Sequence, residues 1–530
     1  MTLRSRIVGM LGRLPRRTAA PEVQRSVPTR TRDDVVLLSD VWLPRPLDSS
    51  SALVLIRTPY GRDGMDLLAR LLAERGHPVV VQSCRGTFGS GGQFEPFGHE
   101  LEDGADTLAW LADQPWADRP ISVLGASYFG HTAYSVIAAD PGRVSSAAAA
   151  VTATDMHAAA VYPDGVFAPE TALMWIAGLI TQELPPFQRW RTIRRIRRRM
   201  PAALDAAPAE ADGVLLDGKT YAPYRDWVRY DDPRDPWWDP LRRGEIRAAM
   251  PPSTLVAGWY DPFVVGQLAD VEAIASAGRD VRLVVGPWTH GSPAIATTVI
   301  REGLHLLAGA GRGGATVWDE GLSRWVELDA WPPPATVRSL ALDVDAALRL
   351  EPRGEVDLVW QVDPADSPPA AGGRGLNPDF AGRRRQHARE RRDDVKVFTT
   401  HVLRHPLTIA GRPSLRIVTD DVEAHAQDWF VRLCDVSPRG VSRNVSDGFV
   451  RAAAGETAVT VSLAPAAFTF RPGHRVRVQI AGTGHPFHPR PVRPEHRRLL
   501  STVAARSVLD LPVVVDGWGA AGATVTRRIP

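Results

Sequence analysis

The feature that most narrows the possible folds is an alternation of short apolar runs with helical patterns. It begins near Arg32, stops near Val151 and resumes at Ser253. Val35 to Leu43, Ala52 to Ile56, Pro78 to Gln82 and Ile121 to Leu124 are apolar and β-branched, the composition of strands buried on both faces. Between them, Asp63 to Arg75 and Glu100 to Ala112 repeat leucine and alanine at spacings of three and four, the period of a helix with one buried face. Strand–helix–strand alternation predicts an α/β domain. From Asp155 to Arg243 the strands disappear and alanine- and arginine-rich helical stretches replace them, which predicts an inserted helical cap. Ser253 to Ala257 and Val281 to Val285 then restore the strand pattern, each followed by a polar and aromatic loop, so the first sheet is expected to resume there.

After about Gly311 the pattern changes to short apolar alternations broken by Gly, Pro and Asp, as in Val337 to Leu342, Trp429 to Leu433 and Arg475 to Ile480. This is the signature of an all-β sandwich. Asp363 to Asp394 is Pro/Gly-rich and then densely charged, and is expected to be a long crossover or an exposed loop. The expected organisation is a flexible basic leader (1–25), a first part of the α/β domain (26–150), a helical cap (151–244), a second part of the α/β domain (245–310) and a β-sandwich (311–530).

With 63 basic and 60 acidic residues the formal charge is only +3, so no polyanion-binding surface is implied and no nucleic-acid partner is expected. The seven arginines of Arg189 to Met200 come without an aromatic platform and read as a solvated cap-helix face. Cys84 and Cys434 are too few and too far apart for a disulfide framework or a zinc site, which fits a reducing, cytoplasmic compartment. Cys84 beside Arg85 reads as a small buried residue. His474, His485, His488 and His496 lack acidic or cysteine partners in sequence and read as loop residues of the β domain, so no metal or cofactor is expected. No run approaches the roughly 20 apolar residues of a membrane span, and no membrane association is expected. The oligomeric state stays open, a homodimer being one alternative.

The strongest chemical signal is Gly125-Ala126-Ser127-Tyr128-Phe129-Gly130, directly after one strand and before an alanine-rich helical stretch. Strand, sharp turn and helix make a nucleophile elbow, where small flanking residues let the chain turn and leave Oγ exposed at a helix N-terminus. A serine hydroxyl needs a histidine to take its proton, and that histidine needs an acid to hold its tautomer. Asp261, after the strand ending at Ala257, and His290, after the strand ending at Val285, follow in the required order. The oxyanion of an acyl-transfer intermediate needs donors. The backbone N–H of Tyr128 is one, and the hydroxyl of Tyr60, at an early strand end, is a candidate second.

These residues stand in strings that resemble the cocaine esterase-like and X-Pro dipeptidyl-peptidase-like serine hydrolases. The strings are Arg57-Thr58-Pro59-Tyr60, Arg85-Gly86 with Ser90-Gly91, Gly125-x-Ser127-Tyr128-x-Gly130, Gly258-Trp259-Tyr260-Asp261 and Gly286-Pro287-Trp288-x-His290. The resemblance continues through Trp331-Pro332, Asp363-Pro364 with Gly372-Gly373, and Asp435-Val436-x-Pro438-x-Gly440 with Asp447-Gly448. It implies an α/β-hydrolase domain with an inserted helical cap and a C-terminal all-β jelly-roll domain. It also implies Ser127 as nucleophile, His290 as base, Asp261 as its orienter, and Tyr60 with the Tyr128 amide as oxyanion hole. Two departures matter. Ser83 stands where the family usually has Asp, two residues before the Arg-Gly pair. Phe263 and Val264 occupy the places where α-amino-acid ester hydrolases carry Glu-Asp to hold a substrate ammonium, so an uncharged acyl group is expected.

The expected activity is therefore a metal-independent serine esterase acting on a small-molecule ester through an acyl-enzyme. Phe167 and Trp175 of the cap are candidates for the acyl pocket, with simple core packing the favoured alternative. A peptidase releasing X-Pro dipeptides would use the same serine set but needs acidic residues for the peptide's N-terminus, for which Asp164, Glu170 and Glu183 are the cap candidates. A non-catalytic binding protein on the same fold is the alternative of another class.

Overall fold

The apolar runs pair side by side in a computed structural model that describes residues 3–309, 313–420, 425–520, 522–527 and 529. The strands are β1 (Ala20–Arg30), β2 (Val36–Arg45), β3 (Leu53–Thr58), β4 (Val79–Ser83), β5 (Ile121–Ala126), β6 (Val144–Ala150), β7 (Ser253–Gly258), β8 (Val281–Gly286), β9 (Gly314–Asp319) and β10 (Arg324–Leu328). They order as β1-β2-β4-β3-β5-β6-β7-β8-β9-β10, and a short C-terminal strand, Thr524–Thr526, completes the sheet beside β10. Every pairing from β4 through β3 to β9 is parallel. The C-terminal ends of β3, β5, β7 and β8 therefore open on one rim, where an open α/β sheet places its ligands.

Alternate residues of each strand feed two different cores, as a period of two requires. Leu55, Val123, Leu255 and Leu283 face α3 (Glu100–Ala112), α4 (Tyr128–Ala139) and α9 (Val264–Ser276). Val54, Ile56, Leu124, Val256 and Val284 face α2 (Asp66–Ala73) and α10 (Pro293–Leu307).

The cap enters between β6 and β7 as α5 (Pro169–Gln182), α6 (Pro186–Asp205), α7 (Pro208–Leu215) and α8 (Ala222–Arg229). Proline opens α5, α6 and α7, where its missing N–H costs nothing. On α6, Ile196, Met200, Ala203 and Leu204 form the buried stripe and the arginines point outward, as the sequence suggested. Among the strands between Thr336 and Val513, a second, largely antiparallel sheet surrounds a core of residues such as Trp429, Leu433, Phe468, Ile480 and Leu511. No helix among the described residues is long and apolar enough to cross a membrane.

Two expectations are revised and a third is decided between its alternatives. The basic leader is built into the fold rather than loose: α1 (Leu3–Leu11) sets Val8 against the α2–α10 layer, and β1 pairs with β2. Glu74 explains the docking, because this fully buried carboxylate takes Ser5 Oγ at 3.2 Å and Arg17 at 2.7 Å as partners. The second revision concerns 314–328, which extends the α/β sheet instead of opening the β domain; β9 continues the parallel register of β8 and buries Ala315 and Val317. Finally, of the two readings of the 363–394 segment, a crossover or an exposed loop, the contacts favour the crossover. Its Arg374, largely buried, lies between Asp164 of the cap (3.2 Å) and Asp447 of the β domain (3.4 Å), so partners distant in sequence neutralise its charge.

Candidate active site

Ser127 leaves the end of β5 with φ 54° and ψ −130°, and α4 begins at the next residue. A non-glycine residue in such a conformation costs on the order of 1–3 kcal/mol, and the neighbouring glycines make it possible. A Cβ at Gly125 would lie 1.9 Å from the Phe129 carbonyl oxygen, and one at Gly130 would lie 2.5 Å from Thr152 Cγ2. The turn thus needs its small residues for close approach, and it presents Oγ at the helix N-terminus.

The rim brings the distant partners together. His290 Nε2 lies 3.0 Å from Ser127 Oγ, and His290 Nδ1 lies 2.6 Å from Asp261 Oδ2. Asp261 is buried, and its other oxygen accepts the Phe263 N–H at 2.9 Å, which fixes the carboxylate's rotation. The Phe263 ring packs at 5.5 Å from the imidazole. With Nδ1 donating to Asp261, Nε2 is left as the acceptor for the serine proton.

Tyr60 follows β3 and sits within hydrogen-bonding reach of Ser127. Burial pushes its phenol up to about 12, so it stays a neutral donor. Its oxygen accepts the Trp175 Nε1–H at 3.1 Å, which occupies one lone pair and leaves the O–H free to donate elsewhere. The Tyr128 N–H belongs to the first turn of α4, where backbone donors have no partner within the helix. The Tyr128 phenol points away into the core, donating to Glu100 (2.9 Å) and accepting the Phe97 N–H (2.8 Å). Glu100 in turn pairs with fully buried Arg57 at 2.9 Å, a support beneath the site.

Of the two cap aromatics, Trp175 lines the cavity over Ser127, stacked on Tyr128 at 5.8 Å. Phe167 does not reach it: its ring packs edge-on against Tyr162 and Tyr224, each at 5.6 Å, inside the cap core. Sequence reasoning missed Leu376, which reaches the cavity from the 363–394 segment, and Trp175 as the partner of Tyr60. Only tertiary contacts reveal either one. Cys84 is buried, and burial first, then Glu100, pushes its thiol well up, so it is no thiolate nucleophile. Ser83 accepts from Arg62 at 2.7 Å, and Arg62 also binds Asp40 at 3.1 Å, so a carboxylate from β2 serves the region where the family's usual Asp is missing. The β-domain histidines are dispersed: His474 binds Asp435 at 2.7 Å, and His485 lies 3.1 Å from Asp205.

The cavity holds about 1000 Å³. Among the described residues, no Asp or Glu lines it. The cap carboxylates are engaged elsewhere: Glu170 accepts the N–H groups of Leu376 and Asn377, Asp164 pairs with Arg374, and Glu183 accepts the Phe88 N–H.

Residues 33–292 match the X-Pro dipeptidyl-peptidase (S15 family), and residues 310–507 match the X-Pro dipeptidyl-peptidase C-terminal non-catalytic domain. The chain belongs to the cocaine esterase-like and X-Pro dipeptidyl-peptidase-like serine hydrolases. Within that family it is similar to a cocaine esterase of Rhodococcus sp. (strain MB1 Bresler), 28% identical over 88% of this chain and 92% of that one. Two solved structures share its fold across 93% of the chain at 20% identity. An aminopeptidase from a marine sediment Thaumarchaeota archaeon, 96% of it covered, gives a TM-score of 0.76; an α-amino acid ester hydrolase, 97% covered, gives 0.75.

Proposed function

We propose that this family member is a serine esterase that cleaves esters with uncharged acyl groups through an acyl-enzyme. The observation that carries the reading is the 3.0 Å approach of His290 Nε2 to Ser127 Oγ, with Asp261 behind the imidazole. In the first half-reaction Oγ bonds to the ester carbonyl carbon while its proton passes to Nε2. The oxyanion takes the Tyr60 O–H and the Tyr128 N–H. The carbon–oxygen bond to the alcohol then breaks, and the alcohol leaves with the proton held by His290. Water repeats the sequence on the acyl-enzyme, giving the free acid and restoring the serine. Asp261 keeps Nδ1 protonated and stabilises the imidazolium. The β domain, by family likeness a jelly roll, contributes a wall through its crossing segment.

Two features favour an uncharged substrate. Phe263 occupies a place where related α-amino-acid ester hydrolases have a carboxylate, and no acidic side chain among the described residues lines the cavity. A cation buried there would have no carboxylate in direct contact, which disfavours it. The X-Pro dipeptidyl-peptidase reading keeps the support of the matched family description. Replacing Ser127 with Ala is expected to abolish hydrolysis of p-nitrophenyl butyrate, and the wild type is expected to favour that ester over Gly-Pro-p-nitroanilide. Turnover retained in the purified variant would reject Ser127 as nucleophile, and the opposite preference would favour the peptidase.

A further inference from the structure

The cavity over Ser127 is lined by two hydrophobic clusters that share no residue. Phe97, Tyr128, Trp175, Trp227 and Phe263 belong to the aromatic core under the cap, and this is the side the mechanism uses. The other side is mostly aliphatic and belongs to the layer between the sheet, α2 and α10, with Leu68, Leu71, Leu124, Phe129, Val299 and Ile300 on its wall. Ser127 stands at the junction because its neighbours diverge: Tyr128 enters the aromatic cluster, while Ala126 and Phe129 enter the aliphatic one. The inner wall of this second arm is buried, its α2 side is half-buried, and it extends to Val8 and the exposed Arg4 of α1. Helix α1 lies outside the residues matched to the family, 33–292.

We propose that the second arm binds an extended aliphatic chain of the substrate, so that long-chain esters are the class the cavity fits best. The proposal rests on the hydrolase reading and names its substrate class. About 1000 Å³ is at the upper end of the range for small-molecule sites, and a butyryl or benzoyl group beside Trp175 leaves the α2–α10 side unfilled. The wall there is mostly hydrocarbon, with Leu68, Leu124, Val299 and Ile300 interrupted by Thr297, whose hydroxyl donates to the Ala294 carbonyl, so it rewards methylene groups over polar substituents. Among the described residues, the charged side chains lining the whole cavity are Arg4 and Arg189, both exposed.

Two ester series, each followed below its micellar concentration, test the arm: p-nitrophenyl butanoate against dodecanoate, and butyl against dodecyl benzoate. A gain in kcat/KM of about tenfold or more with chain length is expected in one of them. The series that shows it tells whether the chain is acyl or alcohol. Leu68→Trp from α2 and Thr297→Trp from α10, checked for native circular dichroism, should each reduce the long-to-short ratio to within about twofold of unity. Absence of a gain in both series, or a gain that survives both substitutions, overturns the arm while leaving the hydrolase reading intact. If the wild type cleaves none of these esters, the hydrolase reading fails by itself. The arm is then read by the fluorescence of cis-parinaric acid on Ser127→Ala protein. Saturable binding weakened at least about tenfold by either tryptophan supports the arm, and no binding overturns it.

Discussion

A tyrosine hydroxyl can stabilise an oxyanion only while it keeps its proton, and burial pushes Tyr60 up to about 12. The Trp175 N–H on its oxygen leaves the phenol one direction in which to donate. Tyr60→Phe is therefore expected to lower kcat on p-nitrophenyl butyrate about 10²–10³-fold with little change in KM, because the lost bond strengthens only as charge develops. Steady-state kinetics check this; a loss confined to KM would make Tyr60 a binding residue. The triad candidates were legible in sequence because each lies in the loop or turn just past a strand end, where motif and secondary structure coincide. Phe167 and Trp175 were not separable there. Both are aromatics on an apolar stretch, and only the packing of Phe167 on Tyr162 and Tyr224 shows which one turns away.

At the scale of elements, the junction of cap and crossing segment rests on Glu170, at the start of α5. Its carboxyl accepts the N–H groups of Leu376 and Asn377, the former a wall of the cavity. Burial raises Glu170 to about 7 from an ordinary value of 4.5. Between those values the folded protein holds a proton that the unfolded chain has released. The stabilising contribution is full below about 4.5 and is lost as pH rises through about 7. Glu170→Gln keeps an acceptor without the titration. It is expected to remove up to about 3 kcal/mol of the decline in unfolding free energy over that window. Denaturant titrations at pH 4.5, 6 and 8 read this directly, and an unchanged slope would assign the pH dependence to other groups. In sequence the segment read as a crossover or an exposed loop because it is Pro/Gly-rich and then densely charged. The carboxylates that neutralise its Arg374, Asp164 and Asp447, lie on other elements, and no local pattern announces partners so distant.

Across the whole molecule, the two sheets meet at Asp319, the last residue of β9. It is fully buried and accepts from Thr469 of the β domain (N at 3.1 Å, Oγ1 at 2.5 Å), from the Leu322 N–H (2.9 Å) and from Trp518 Nε1 (2.7 Å) near the C-terminus. Asp319→Ala leaves those donors without an acceptor and is expected to cost about 3 kcal/mol. Differential scanning calorimetry should show a lower transition, broadened or split as the sheets uncouple. A transition unchanged within about 1 °C would remove Asp319 from the joint. The α/β and all-β halves were readable because their hydrophobic periods differ. β9 and β10 read as β-domain strands because they are short and alternating, and only the parallel pairing of β9 with β8 shows that they extend the first sheet.

The most direct test of the account traps the covalent step itself. The purified chain is treated with a fluorophosphonate and its peptides are read by mass spectrometry. A single adduct on Ser127, slowed at least about a hundredfold by His290→Ala, is predicted; labelling at another residue, or labelling of Ser127 that does not depend on His290, would contradict it.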